Sequence, residues 1–168
     1  MTNTSQEDIK KEFIETWVER AARESEVVDE GDKFMCIWIA FNAWLKDEYS
    51  ETDSDKTLIE RVKQNITLWR LFEELKNNDG YKQLLTELSR YRILDMRDPQ
   101  NESKIKQYNG SFESLIAVLY QIRCNLFHGR KNIEEKKEYK LVALARKILY
   151  KLFNEYAIRY LNIRQGNL

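Results

Sequence analysis

Turn-forming residues are scarce in this chain, which holds one proline and five glycines among 168 residues. Folds rich in β-structure need many such residues for their tight turns, so the scarcity disfavours sandwiches and barrels. No run of about 18 apolar residues occurs, and the sequence therefore predicts no membrane-spanning helix. The first residues, MTNTSQEDIKKEF, also lack the apolar stretch of a secretion signal.

Cysteine and histidine are almost as rare. Cys36 and Cys124 form no disulfide framework, and His128 is the only histidine. Neither a Cys-x-x-Cys pair nor two histidines one helical turn apart is present, so we expect no metal ion and no cofactor. The default location for two unpaired thiols is a reducing, cytoplasmic compartment. No P-loop or glycine-rich dinucleotide motif indicates ATP hydrolysis or hydride transfer.

Apolar residues make up 42% of the chain and aromatic residues 12%, which is enough for a folded core. They recur at intervals of three and four residues along nearly the whole chain, the spacing of amphipathic helices. The exception is the polar stretch 95–111, which predicts a loop. We expect one all-α domain over 1–168, a bundle of five to six helices. The predicted helices are 5–27, 33–49, 57–77, 81–93, 112–127 and 133–163.

The segment KFMCIWIAFNAWLKDEY (33–49) is apolar on almost every side. A helix of this kind is buried all round, so we expect it at the centre of the bundle. Asn42 is the polar residue inside it. A buried amide must find hydrogen-bond partners, and two interpretations are open. Asn42 either bonds neighbouring backbone or supports the segment that contains His128.

Charge is distributed unevenly, although the whole chain is neutral. Residues 1–55 carry a net charge of −9, residues 56–119 of +2 and residues 120–168 of +7. A phosphate-bearing partner would be attracted to the last of these stretches. The alternative is that the acidic and basic ends of the chain pack against each other.

The stretch RCNLFHGRK (123–131) gathers the side chains that RNA cleavage requires. His128 can exchange protons near neutral pH, and Arg123 can bind a phosphate through two N–H groups at once. Asn125 can orient either of them, while Arg130 and Lys131 supply further positive charge for an RNA backbone. Together these groups could activate a 2′-hydroxyl, stabilise the crowded phosphate and protonate the leaving oxygen without a metal ion.

Helix geometry restrains this interpretation. On an ideal helix Arg123 and His128 are about 140° apart around the axis and roughly 7.5 Å apart along it. The arginine could bend back, the helix could unwind near Gly129, or a two-fold dimer could bring two helix ends together. The simpler alternative is a histidine at a helix end beside solvated basic residues.

Together, RCNLFHG and FMCIWIAFNAWL (34–45) resemble the HEPN superfamily of small helical domains, and most closely its Apea-like and defence-linked branches. The mark of that superfamily is an Arg followed after four to six residues by a His, near the end of a core helix. Arg123 and His128 match this pattern with four residues between them. The family often has a polar residue directly after the Arg, whereas here Cys124 intervenes and Asn125 follows.

The resemblance implies a HEPN-like bundle that acts as a homodimer, with Leu126 and Phe127 in the interface. Active members are metal-independent endoribonucleases of toxin–antitoxin or anti-phage defence systems, and they leave a cyclic phosphate end. By this likeness Arg123 would stabilise the phosphate, His128 would transfer protons and Asn125 would orient one of them. Other members do not cleave RNA, and the alternative is a module that binds RNA, a nucleotide or a partner protein such as an antitoxin or sensor.

Overall fold

The computed structural model describes residues 6–22, 29–127 and 136–163. In these ranges the chain is all-helical, as the sequence predicted, and the only β-type pairing is a backbone bridge between Ile93 and Lys106. None of the described helices is both long and apolar enough to cross a bilayer. The helices are α1 (Gln6–Ala22), α2 (Glu30–Glu48), α3 (Asp55–Val62), α4 (Ile66–Leu75), α5 (Asp79–Leu88), α6 (Phe112–Phe127) and α7 (Lys136–Tyr160).

Helix α2 is central, because it packs against α1, α3, α6 and α7. Its N-terminus is capped by the Asp29 carboxylate, which accepts hydrogen bonds from the backbone of Gly31 and Asp32. The aromatic residues of α2 pack on α7. Trp44 has its ring centroid 4.8 Å from that of Tyr156. The fully buried apolar side chains of α2 include Phe34, Ile37, Phe41, Trp44 and Leu45.

The predicted helix 57–77 is wrong as a single element, since the structure divides it into α3 and α4. Asn65 causes the division. Its side chain accepts a hydrogen bond from the Leu68 backbone at 2.9 Å and donates one to the Tyr49 hydroxyl at 2.9 Å. An Asn that caps a new helix offers its backbone an alternative to continuing the old one. The described residues consequently hold seven α-helices, where five to six were expected.

The predicted fourth helix, 81–93, also has different bounds. Helix α5 begins at Asp79, after Asn78 caps it by accepting from the Tyr81 backbone at 3.1 Å, and it ends at Leu88. Ile93 lies beyond the helix and exchanges backbone hydrogen bonds of 2.8 and 2.9 Å with Lys106. This bridge closes the stretch between them into a loop, within which Glu102–Lys104 forms a 3-10 turn.

Of the predicted bounds of the first and last helices, only the end at 163 falls on described residues. Helix α7 ends at Tyr160 rather than at 163, and Asn162 follows with φ 53°, a left-handed conformation typical of helix ends. Helix α1 ends at Ala22. The predicted continuation 23–27 and the predicted start at 133 lie outside the described residues.

One hydrophobic cluster contains buried residues from all seven helices. Phe41 and Phe153 meet near its centre with their ring centroids 5.3 Å apart, in an edge-to-face arrangement. Trp38 and Trp44 are buried in it, whereas Trp69 is 43% exposed. Two of the tryptophans therefore belong to the core, and one of them, Trp38, has its ring centroid 6.1 Å from that of Tyr120 on the helix that carries Arg123.

Candidate functional site

Helix α6 carries the described part of the candidate motif. Ser111 caps its N-terminus, because its hydroxyl accepts from the Ser114 backbone at 3.1 Å and its carbonyl accepts from the Leu115 backbone at 3.1 Å. Apolar residues at helical spacing then bury the helix against the core. The buried residues of α6 are Phe112, Leu115, Ile116, Val118, Leu119, Gln121, Ile122, Cys124 and Asn125. Arg123 is the charged residue in the last turns of this otherwise buried helix.

Arg123 lies on a partly shielded face of α6, with 20% of its side chain exposed. Its Nη2 donates a hydrogen bond of 2.7 Å to Oδ2 of Asp55, at the start of α3. Its guanidinium carbon lies 4.3 Å from the centroid of the Phe127 ring, one helical turn further on, and 6.0 Å from that of Trp38. Stacking on an aromatic face and pairing with a carboxylate together restrict the guanidinium to a small volume.

The sequence pattern did not identify Asp55, which is 68 residues from Arg123 in the chain. Asp55 begins α3 directly after Ser54, whose hydroxyl accepts from the Thr57 backbone at 3.2 Å and caps the helix. A carboxylate in the first turn of a helix is stabilised by the N-terminal end of the helix dipole. The acidic stretch SETDSD (50–55) leads into α3, and its contact with α6 depends on tertiary packing.

Asn125 points to a different part of the molecule. Its side chain is 1% exposed, and its Nδ2 donates to the Leu94 carbonyl at 2.8 Å. Its Oδ1 accepts from the Met96 backbone at 3.1 Å and from Gln121 Nε2 at 3.0 Å. These bonds fasten the loop after α5 to α6. Among the described residues no hydrogen bond joins Asn125 to Arg123. Because the two residues are two positions apart on a helix, their side chains point about 200° apart around its axis.

Tyr120 lies beside the Arg123–Asp55 pair. Its ring centroid is 6.1 Å from that of Trp38. Burial raises the pKa of Tyr120 to about 12, and Cys124 contributes in the same direction. The phenol therefore stays protonated at neutral pH, where it can donate a hydrogen bond and cannot serve as a base.

Asn42 is partly buried in α2, one helical turn after Trp38. Its Oδ1 has no hydrogen-bond partner, although the atom is buried. In the structure this oxygen therefore does not bond the neighbouring backbone, which was one of the two interpretations. The same is true of two buried donors, Trp38 Nε1 and Arg123 Nε. An unpaired buried polar atom costs about 1–3 kcal/mol, so each of these three atoms lowers the stability of the fold.

A second ion pair lies in the loop fastened by Asn125. Arg97 donates to both carboxylate oxygens of Asp95, through Nε at 3.0 Å and through Nη2 at 2.8 Å. The side chain of Asp95 is only 6% exposed. Its hydrogen bonds from Arg97 lower the pKa of Asp95 to about 2. This pair has a structural role, because both carboxylate oxygens of Asp95 already accept hydrogen bonds from Arg97.

The end of α6 borders a shallow cleft of about 300 Å³, formed with the N-terminal turns of α2. Leu126 is partly buried against the core, whereas Phe127 is 56% exposed. The cleft is lined by Gly31, Asp32, Met35, Leu126 and Phe127. An aromatic ring that is exposed at a helix end, beside a cleft, offers apolar surface to another molecule.

The remaining predicted site residues, His128, Arg130 and Lys131, lie outside the described residues, as does Gly129. Of the predicted constellation, the structure therefore describes Arg123, Asn125 and Asn42. Arg123 lies against Trp38 of α2, Asn42 is partly buried in α2, and Asn125 bonds the loop after α5 from a different side of α6. Among the described residues no group of three His, Cys, Asp or Glu side chains could hold a metal ion.

The described geometry thus consists of a restrained, partly exposed guanidinium at the end of a core helix, with a carboxylate and three aromatic rings around it. Comparison with protein-family models, with curated proteins and with solved structures gave no match for this chain.

Proposed function

We propose that this chain is a HEPN-like, metal-independent endoribonuclease of a toxin–antitoxin or anti-phage defence system, acting as a homodimer. The support is the sequence pattern around Arg123 and His128, combined with one structural observation. Arg123 is held on α6 by Asp55 and Phe127, with 20% of its side chain still exposed. A guanidinium that is fixed in place but reachable from solvent suits the binding of a single phosphate.

The proposed reaction is a transesterification within the RNA. A neutral His128 imidazole takes the proton of a 2′-hydroxyl, and the 2′-oxygen attacks the adjacent phosphorus. The bond from phosphorus to the 5′-oxygen breaks, and that oxygen receives the proton back from the same, now protonated, imidazole. The products are a 2′,3′-cyclic phosphate and a 5′-hydroxyl. Arg123 stabilises the charge that accumulates on the phosphoryl oxygens.

The two copies would meet at the ends of their α6 helices. Phe127 directly precedes His128 in the sequence and is 56% exposed. A two-fold axis near this ring would bury it against its symmetry mate and bring two Arg123–His128 segments together. The same arrangement would bring Arg123 and His128 together across the axis, although the two residues are separated on the helix of one chain.

The alternative function is a non-catalytic HEPN-like module that binds RNA, a nucleotide or a partner protein. Two contacts favour it. The Asp55 carboxylate already occupies one edge of the Arg123 guanidinium, and Asn125 is fully engaged in holding the loop after α5. Because Arg123 and Asn125 both have structural partners, their presence can be explained without a catalytic role.

The two functions are separated by an RNA cleavage assay in EDTA. The wild-type protein is compared with His128→Ala, Arg123→Ala and Arg61→Ala. Arg61 is the matched control, because it too pairs with a carboxylate, that of Asp53 just before α3, at 2.9 Å. If the chain is a nuclease, the wild type and Arg61→Ala should cleave the RNA, and the rate of cleavage should fall about 100-fold or more in the other two variants. Binding of RNA without any cleavage would support the module instead.

A further inference from the structure

The Asp55–Arg123 contact connects two helices that otherwise make few contacts, α3 and α6. The Nη2–Oδ2 distance of 2.7 Å is that of a short, charge-assisted hydrogen bond. Both side chains are partly shielded, with 20% of Arg123 and 28% of Asp55 exposed. Shielding from water strengthens such a bond relative to a pair on the open surface.

Toward the described residues, the Arg123 guanidinium uses few of its N–H groups. Asp55 receives a hydrogen bond from Nη2, and Nε is buried without a partner. No hydrogen bond from Nη1 joins a described residue. The Phe127 ring covers one face of the guanidinium at 4.3 Å. The carboxylate therefore fixes the plane and direction of a group that still has N–H donors to offer to an anion.

Asp55 is itself well anchored for this role. It is the first residue of α3, and the Ser54 cap at 3.2 Å from the Thr57 backbone fixes the preceding residue. The next two turns of α3 bury Leu58, Ile59 and Val62 in the core. The carboxylate is consequently attached to a rigid element, which is the requirement for a group that orients another.

We propose that Asp55 is a positioning residue that holds Arg123 in the orientation needed to bind the scissile phosphate. This inference rests on the nuclease function proposed above. Asp55 does not contact RNA and transfers no proton. Its negative charge keeps the guanidinium directed and opposes phosphate binding slightly, so loss of the charge should reduce the rate of cleavage without weakening the binding of RNA.

The chain offers a close control for this proposal. Asp53 lies two residues earlier, and its Oδ2 is 2.9 Å from Nη2 of Arg61. The exposure of the two carboxylates is similar, 22% for Asp53 and 28% for Asp55. Asp53→Asn and Asp55→Asn thus remove the same charge from the same segment, and only the second releases Arg123.

The test measures kcat and KM for a labelled RNA in EDTA with the wild type, Asp55→Asn, Asp53→Asn and His128→Ala. Thermal unfolding confirms that each variant is folded at the assay temperature. We expect Asp55→Asn to lower kcat about tenfold or more with KM not raised, because the guanidinium loses its orientation. Asp53→Asn should stay within about twofold of the wild type in both constants. A merely structural role for Asp55 would lower the unfolding temperature and leave the kcat of the folded protein unchanged.

If Asp55→Asn is unfolded at the assay temperature, Asp55→Glu decides the question. It keeps the charge and the favourable helix start but moves the carboxylate by one methylene, so the proposal predicts a kcat several-fold lower. A kcat within twofold of the wild type in the folded variant overturns the proposal. So does an equal loss in Asp53→Asn. A wild-type protein that cleaves no RNA removes the nuclease function and this inference together, whereas cleavage that needs His128 but not Asp55 removes only this inference.

Discussion

Asn125 Nδ2 donates a hydrogen bond of 2.8 Å to the Leu94 carbonyl, which joins the end of α6 to the loop that follows α5. Oδ1 of the same amide accepts from the Met96 backbone and from Gln121. A side chain that is 1% exposed and bonded through both of its polar atoms has a structural role of its own. Its predicted role in orienting Arg123 or His128 must therefore be tested against that structural role.

The first prediction concerns Asn125→Ala. The change removes the hydrogen bonds to the Leu94 carbonyl, to the Met96 backbone and to the buried Gln121 side chain, so we expect the free energy of unfolding to fall by about 1–3 kcal/mol. Urea denaturation measures it, and Asn77→Ala is the control, since Asn77 is exposed and its side chain makes a bond of 3.3 Å to the Glu73 carbonyl. A change within about 0.5 kcal/mol of the wild type would contradict the structural role.

A second prediction concerns stability in acid. Arg97 holds the pKa of Asp95 at about 2, against an ordinary value of 3.8. Because the folded-state pKa is the lower one, Asp95 stabilises the fold above about pH 4, and this contribution disappears as the pH falls towards 2. We expect it to be about 1–2 kcal/mol, since Asp95 is buried but Arg97 is half exposed.

Denaturation of Asp95→Asn and of the wild type between pH 2 and pH 6 checks this prediction. The two proteins should differ most at the upper end of that range and converge at the lower end. Asp98→Asn is the control, because Asp98 pairs with Lys104 at 2.9 Å on the exposed surface and should contribute less. A constant difference between Asp95→Asn and the wild type at every pH would show that charge plays no part.

The third prediction concerns assembly. If Phe127 lies in a dimer interface, Phe127→Glu buries a charge against its symmetry mate and should produce monomers at micromolar concentration. Light scattering measures the mass in solution. Ile66→Glu is the matched control, because Ile66 is also apolar and is 62% exposed on α4. A wild-type protein that is already monomeric at this concentration would argue against a shared site.

The fourth prediction concerns Arg130 and Lys131. If both contact the RNA backbone, replacing both with Ala should weaken binding and reduce the slope of log affinity against log salt by roughly 1 to 2. The measurement is a salt titration with a 2′-O-methyl RNA, which cannot be cleaved. Lys82→Ala with Arg90→Ala removes the same charge from exposed positions on α5 and in the turn after it, and should leave the slope nearer to that of the wild type. Equal slopes in both double variants would indicate that only net charge matters.

The sequence predicted the class of fold because helical periodicity is a local property. The apolar spacing within α2 and α6 places the same residues in the core that the structure buries. The division of 57–77 was missed because Val62, Ile66 and Trp69 keep a helical interval across the break. The signal that could have found it is Asn65, a capping residue three positions before the Leu68 amide that it binds.

The candidate site was predictable only in part, since its partners are distant in sequence. The spacing of Arg123 and His128 was visible directly, but nothing local connects Arg123 to Asp55 or Asn125 to Leu94. Both contacts arise from the way α3 and the loop after α5 pack on α6. Asn125 illustrates the limit, because a polar residue beside a catalytic motif and a buried structural amide have the same appearance in a sequence.

The most direct test of the account mixes two inactive variants. If each site takes Arg123 from one subunit and His128 from the other, a mixed dimer of Arg123→Ala and His128→Ala keeps one intact site. Random exchange of subunits should then restore about a quarter of wild-type cleavage in EDTA. If a mass measurement confirms that the subunits have exchanged and cleavage is still not restored, the site is not shared between two copies of the chain.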